Sequence, residues 1–511
     1  MMNPLPRLRR SVPLSALALL FLFAPGSSFV SAQQTKSASN SAPLKALKVE
    51  PVKGYVGASF TISAEGLAAG KKVEFFWTTV DAQYLTKVLV DNVEYHERNY
   101  DEKRVSLGSA TVDGQGRVSL KLTAPEDFGE VHDIHGAIDG QDLVRGGFRI
   151  LRSAAITPSE GPVGTPIVVT VHGMGWRGFE QFMGLRYDNK YTGEISAVTT
   201  KGSATFQIRA AGPAGKHVIQ LNNSTAYAPG AYLNTQQSPQ AYIYSHLGNQ
   251  QEFRFTFNVT KDAGPPPNKL DWPEATRVAK LSADAARTTM SMKPVAPGSI
   301  QLSPTSGAVH TKTVMNAKGL PPSSEVGLHF VTARGNRMTP SGWNLDNVAL
   351  TTATTKADGT LTTNLQIPDD LGGWHVVKLV AHDRVLAEVP FYVEQSLVKV
   401  NPRRVKVGEP FTIQIKGSGW TELDNTVAVT YDNAAMGYAC GFNSNGDITI
   451  NLVASGAPGT HLIDLYPAIY KGKDRVPWNY QTPFLTYARD FPALALGYKL
   501  PAYRIAIEVV P

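Results

Sequence analysis

The sequence predicts an all-β chain of four tandem β-sandwiches, and three observations predict it. One frame returns four times without insertion or deletion: an apolar residue, a spacer, a proline, four residues, a valine, nine residues and a glycine. Its copies are Val49-Pro51-Val56-Gly66, Ile156-Pro158-Val163-Gly173, Leu302-Pro304-Val309-Gly319 and Val400-Pro402-Val407-Gly417. Between valine and glycine the apolar residues alternate, as in Phe60, Ile62, Ala64 and in Phe411, Ile413, Ile415, the two-residue period of a strand with one buried face. Later in each copy come further alternating runs, Val118 to Leu122, Ala204 to Ile208, Leu361 to Ile367 and Ile448 to Leu452. Gap-free repetition of this kind decides architecture ahead of local propensity.

Residues 1–32 precede the repeats and have the form of a signal peptide. Arg7, Arg9 and Arg10 give a positive start, Val12 to Phe23 is apolar but too short to span a bilayer, and Val30-Ser31-Ala32 offers small residues for cleavage. The expectation is a secreted, periplasmic or cell-surface chain with no transmembrane segment after processing. Removing residues 1–32 takes away three arginines and no acids, so the net charge falls from +7 to +4 and gives no electrostatic case for nucleic acid. Cys440 is the single cysteine, so no internal disulfide forms and each core must hold itself together by apolar burial. A half-buried strand thiol is the expected state of Cys440.

Within each copy the proline closes the opening strand, because it has no N–H for a sheet ladder. The glycine after the alternating strand suits a bend or a positive backbone angle. The copies end on Phe148-Arg149-Ile150, Phe253 to Val259, Phe391 to Val393 and Tyr503 to Val509. Many short strands with turn signals at short intervals read as immunoglobulin-like sandwiches. The first and third copies follow the frame glycine with leucine, at Leu67 and Leu320. The second and fourth place a Gly-Trp pair there, Gly175-Trp176 and Gly419-Trp420, and share Tyr187-Asp188-Asn189 and Tyr431-Asp432-Asn433, each tyrosine 29 residues after its proline. The arrangement is therefore A-B-A-B. The expected domains are A1 over 44–151, B1 over 152–260, A2 over 298–395 and B2 over 396–511, with a proline-rich linker over 261–297. In that linker Asp271 to Met290 is expected to form a short helix, with Asp271 as its cap and Pro273 in the first turn.

The run from Ile156-Thr157-Pro158 to Val163-Gly164, followed by Val169-Thr170-Val171-His172-Gly173-Met174-Gly175-Trp176, resembles the opening of IPT/TIG-type immunoglobulin-like domains. Val400-Asn401-Pro402, Val407-Gly408 and Gly417-Ser418-Gly419-Trp420 are similar, whereas His310 replaces the first glycine in the third copy. The resemblance covers the opening of each copy. It implies the sandwich fold and a use in surface receptors, secreted bacterial proteins or accessory modules of polysaccharide-acting enzymes. It implies no catalytic residue.

Candidate chemistry begins with His132, Asp133, His135, Asp139 and Asp142, with His96 and Glu97 upstream, since histidines and carboxylates together suit zinc or calcium. The repeats argue for structure instead. A histidine recurs after glycine at the start of the late strand in every copy, as His132, His217, His375 and His461, and His217 and His461 each lie 59 residues after their prolines. On a strand His132 and His135 point to opposite faces. No metal and no cofactor is expected. The acid pairs Glu126-Asp127 and Asp369-Asp370 sit in turns, where carboxylates accept backbone hydrogen bonds, and the Tyr-Asp-Asn triplets read as strand-to-strand turns. There is no Gly-x-Ser-x-Gly, His-Glu-x-x-His or phosphate loop, so no catalytic residue is assigned.

One feature exceeds the needs of a sandwich. Between late and final strands the B copies carry long aromatic segments, with Tyr227, Tyr232 and Tyr242 in B1 and Tyr470, Trp478, Tyr480 and Tyr487 in B2. Such rings suit stacking on sugars or burial in a protein interface, and they equally suit packing on their own sandwich or sealing a junction between copies. The expected function is a non-catalytic exported binding or structural protein acting on a protein or glycan partner. The alternative is an accessory or degradative enzyme of polysaccharide metabolism with its site in the aromatic segments or the Asp/His loop of A1.

Overall fold

A computed structural model describes residues 43–90, 92–177, 180–223, 253–274, 299–335, 343–441, 444–470 and 481–511. The signal-peptide reading, most of the expected linker helix and the rings of Tyr227, Tyr232, Tyr242, Trp478 and Tyr480 lie outside these residues. The described chain is nearly all strand; its helical segments are the single turn Tyr487–Asp490 and the 3-10 turn Pro492–Leu496.

Eight sheets form among the described residues, two to each copy of the frame. In A1 the small sheet is Lys48–Glu50, Ser59–Ala64 and Val118–Thr123, and the large one runs in space Lys45–Ala46, Gln141–Ile150, Glu130–Ile138, Lys72–Val88, Val93–Thr111. The other copies repeat the plan. Their small sheets are Ser153–Thr157 with Pro166–His172 and Ala204–Arg209, Ile300–Ser303 with Lys312–Ala317 and Leu361–Gln366, and Ser396–Asn401 with Pro410–Lys416 and Ile448–Val453. The frame fixes register as well as topology: Val49 faces Ile62, Ile156 faces Val169, Leu302 faces Met315 and Val400 faces Ile413. Alternate residues turn inward, so Phe60, Ile62, Trp77 and Phe148 fill A1 while Phe411, Ile413, Ile415 and Ile505 fill B2. The four frame glycines all sit at positive φ, between +68° and +77°, where a side chain would be strained. The peptide bond before each frame proline is cis.

The A-B pairing is built into the joints. Gly129 of A1 lies so close to B1 that a Cβ there would stand 1.9 Å from the Gly173 carbonyl oxygen, and Gly372 of A2 would meet that of Gly417 at 1.7 Å. The Gly129 amide donates to Met174 O at 2.9 Å and the Gly372 amide to Ser418 O at 3.0 Å. The B-copy tryptophans complete the same joints: Trp420 sets its ring edge-on to His375, and Trp176 packs beside Tyr100. The Gly-Trp pair that distinguishes the B copies in sequence therefore serves contact with the preceding A copy.

Two features depart from the sequence reading. Lys269–Asp271 is a strand paired with Ala502–Val510 of B2, and the Asp271 carboxylate accepts from Arg504 at 2.8 Å. Asp271 is thus a sheet residue and not a helix cap; an edge that needs a partner and a buried arginine that needs a counter-charge outweigh its capping propensity. The second is the A1 hairpin of Lys72–Val88 and Val93–Thr111, which pairs along its whole length although only Glu74 to Trp77 meets the next strand of the sheet. The projecting arm sends Tyr84, Val93 and Tyr95 into a core shared with B1 and B2. The Tyr95 amide donates to Glu422 Oε2 at 2.9 Å, and the Glu422 amide to Val93 O at 3.2 Å. Residues Leu44 to Pro511 form one compact unit.

Candidate functional site

The four late-strand histidines occupy equivalent places. Each Nε2 lies within hydrogen-bond distance of the carbonyl four residues earlier: Phe128 for His132 at 2.6 Å, and Pro213 for His217, Leu371 for His375 and Ala457 for His461, each at 2.8 Å. Each ring also packs on an aromatic of the neighbouring strand, Trp77, Tyr187, Phe330 and Tyr431 in turn. The Nδ1 partner separates the two types. In the A copies it is a backbone carbonyl, Thr78 at 2.8 Å and Val331 at 2.9 Å. In the B copies it is the aspartate of the Tyr-Asp-Asn turn, Asp188 and Asp432, each at 2.6 Å. Burial drives the fully enclosed His375 toward its neutral form against the pull of Asp370. Burial also opposes charge on His461, but the hydrogen bond and charge of Asp432, with Ala457 O and Asp262, outweigh it and raise the pKa above the ordinary imidazole value.

The Asp/His loop of A1 is dispersed into pairs. His132 is buried while His135, on the opposite face of the strand, is partly buried and meets Asp142 at 3.0 Å. Asp142 takes two bonds from Arg104, at 3.0 and 2.6 Å, which hold its carboxyl below the usual range. Asp133 pairs with Arg145 at 2.5 Å, Asp139 with Lys71 at 3.0 Å and His96 with Glu94 at 3.3 Å. No group of three or more His, Cys, Asp or Glu is arranged to hold a metal among the described residues. Asp127 and Asp370 accept the amides of Phe128 and Leu371, as their turn positions suggest. Cys440 is partly buried on the strand Ala434–Cys440.

The B copies meet each other, and there the repeated chemistry converges. Tyr187, Asp188, Lys190, Ala211 to Pro213 and His217 of B1 face Asp432, Gly456 to Thr460 and His461 of B2 across a cleft of about 300 Å³, with Asp262 at its side. Two-residue turns with Asp188, Asn189, Asp432 and Asn433 all at positive φ aim both aspartates at their histidines. Asn433 Nδ2 crosses the joint to Arg209 O at 2.8 Å, and Asp262 accepts both the amide and the hydroxyl of Thr460, at 2.6 and 2.7 Å. Behind the cleft lies a buried ionic network. Arg209 of B1 meets Asp464 of B2 at 2.6 Å, and Arg504 reaches Asp271, the Tyr466 hydroxyl at 2.8 Å and Asp464 at 3.5 Å. Burial, opposed by the Arg504 charge, pushes the Tyr466 hydroxyl up to about 12. Each histidine nitrogen in the cleft is engaged within its own copy, while Asn433 and the Arg209–Asp464 pair cross the joint.

The aromatic segment of B2 divides. Tyr487 is buried, its hydroxyl donating to Asp271 O at 3.0 Å, and Phe484, Leu485, Phe491, Leu494 and Tyr498 join the same core with B1 and the A1 arm. At the strand edge of B1 the Glu194 amide donates to Pro483 O and the Leu485 amide donates to Glu194 O, each at 2.9 Å. Asp490 accepts from Ser196 Oγ at 2.7 Å, the amides of Val198 and Thr199 at 2.8 and 2.7 Å, Thr199 Oγ1 at 2.6 Å and Tyr84 of A1 at 2.9 Å. This stretch seals a junction among three copies. Tyr470 lies apart from it, partly buried and beside the exposed Tyr438. Neither the Asp490 clasp nor the long arm had a signal in the sequence beyond an isolated acid and a run of charged and aromatic residues.

No protein-family model matches this chain, and no curated protein matches it. Among solved structures, trypsin-activated alpha-2-macroglobulin from Escherichia coli shares 10% identity over 91% of this chain and 42% of that one, at a TM-score of 0.15. Murine CEACAM1b shares 11% over 42% of this chain and 99% of its own, and the plexin A4 extracellular region 9% over 80% and 34%, both at a TM-score of 0.13. The chain thus spans about two-fifths of the alpha-2-macroglobulin structure, and at these scores the likenesses carry no functional argument.

Proposed function

We propose that this protein is an exported, non-catalytic binding or structural protein: four immunoglobulin-like modules, A1, B1, A2 and B2, locked into one scaffold that presents its surface to a protein or glycan partner. The single observation that supports the reading most is the repeated use of one histidine. In all four copies it spans the same strand and loop, with both ring nitrogens on protein acceptors and its face on an aromatic ring. A group consumed four times by the fold is not poised for proton transfer to a substrate. The joints favour a fixed scaffold over a flexible string, because arginines, aspartates and glycines at the module borders have no room or partner elsewhere. Recognition is assigned to the aromatic segments of the B copies, with Tyr227, Tyr232, Tyr242, Tyr470, Trp478 and Tyr480 as the candidates.

The test is a binding screen of the mature chain against glycans and extracellular proteins, run beside turnover assays on the same polysaccharides and peptides. Saturable binding without turnover is expected. Turnover that follows the protein through purification and disappears in a variant of the aromatic segments would establish the enzyme reading instead.

A further inference from the structure

His461 sits between two groups that only accept hydrogen bonds. Its Nδ1 is 2.6 Å from Asp432 Oδ2 and its Nε2 is 2.8 Å from Ala457 O. A neutral imidazole has one N–H, so it satisfies one of these partners and turns a bare nitrogen toward the other; the imidazolium satisfies both. The loop that carries Ala457 is packed onto the ring itself, since a Cβ on Gly456 would stand 2.5 Å from His461 Cε1. Ser455 is tied at its carbonyl and amide to the Tyr431 hydroxyl and Gly459 pairs with Val509, so Gly456, Ala457 and Pro458 form the exposed part of the loop between them.

The charges around the ring come from three directions. Asp432 faces it from the turn at the end of its neighbouring strand, and Asp262 approaches from the chain leaving B1, where it holds Thr460. Across the cleft stand Asp188, Lys190 and His217 of B1, with Tyr431 packed on the ring from below. On its own strand, Asp464 is committed to Arg209 and Arg504. Three carboxylates against one lysine favour a proton on His461.

We infer that the loop at the mouth of the cleft is proton-controlled: doubly protonated His461 bolts Gly456 to Pro458 to the Asp432 turn, and loss of its Nε2 proton releases them. The sign follows from the raised folded pKa. The stabilisation is fully present below the ordinary imidazole value of about 6.5 and is lost as pH rises through the higher folded value. The loop is tight in mild acid and loosens on the alkaline side of neutrality. The A copies lack the device, because their histidines have no carboxylate on Nδ1.

The experiment follows the His461 ring by NMR in the full mature chain from about pH 5 to about pH 9, a span that brackets imidazole titration. Amide exchange of residues 455–461, corrected for intrinsic rates, is read on the same samples. The expected result is a His461 midpoint above that of an unperturbed imidazole and a rise of roughly tenfold or more in loop exchange with the same midpoint. Asp432→Asn should lower the midpoint, and His461→Gln should flatten the exchange step. A midpoint at or below the ordinary value, a titration that leaves loop exchange unchanged, or a step that persists in His461→Gln would each overturn the inference. The wild-type measurements decide even if a variant fails to fold.

Discussion

Arg209 and Asp464 belong to different B copies and meet at 2.6 Å with side chains only 5% and 2% exposed. Neither charge has water to fall back on, so the pair makes the second copy's position a condition of the first copy's comfort. Asp464→Ala would strand Arg209 in the interior and leave Arg504 to Asp271 as its sole carboxylate. A loss of about 3–5 kcal/mol is expected in denaturant unfolding. A cost below about 1 kcal/mol, the range of an exposed pair, would mean that the joint opens in solution.

The A-B joints are tested by one methyl group. Gly372→Ala places a carbon within 1.7 Å of the Gly417 carbonyl oxygen, which neither backbone can yield without moving the modules. A loss of about 1–3 kcal/mol is expected. Gly319→Ala has open space around it but a positive φ, and should cost less, about 1 kcal/mol. Equal losses for the two would remove the argument that Gly372 is kept for the joint.

Asp490 holds five donors from B1 and A1 while 1% exposed. Asp490→Ala leaves them unsatisfied, for an expected loss of about 3 kcal/mol or more. Because the clasp joins separate copies, native-state proteolysis near residues 481–500 should accelerate before the sandwiches melt. Cleavage that begins in B1 or A1 instead would show that the segment is held by its apolar rings alone.

His217→Gln removes one of the two acceptor bonds on that ring and should cost about 1–2 kcal/mol, with no change in metal content by elemental analysis. Stoichiometric zinc that vanishes on His461→Ala would contradict the structural role of both histidines.

Much of the fold was legible because a period-two pattern repeated four times carries its own register: the frame residues Val49, Ile156, Leu302 and Val400 each face the residue thirteen positions later. The histidines were legible for a related reason: each follows a glycine at the start of the late strand, and His217 and His461 share one spacing from their frame prolines. The contacts between copies were not. Asp271 reads locally as a helix cap, and only Arg504, far away in sequence, makes it a sheet residue. Tyr487 and Trp478 look alike in sequence as loop aromatics, and it takes the partner copy to bury Tyr487. The cleft was hidden too: two Tyr-Asp-Asn turns are each ordinary, and they acquire a shared setting only when B1 and B2 meet.

The proposal that recognition lies in the aromatic segments of the B copies is tested most directly by Trp478→Ala with Tyr480→Ala in one chain, measured for partner binding and melting together. The account predicts that binding to whichever protein or glycan the screen identifies falls at least tenfold, about 1.4 kcal/mol, while the melting temperature stays within a degree or two of wild type. Intact binding with a large fall in melting temperature would show that these rings, like Tyr487, belong to the core, and would contradict it.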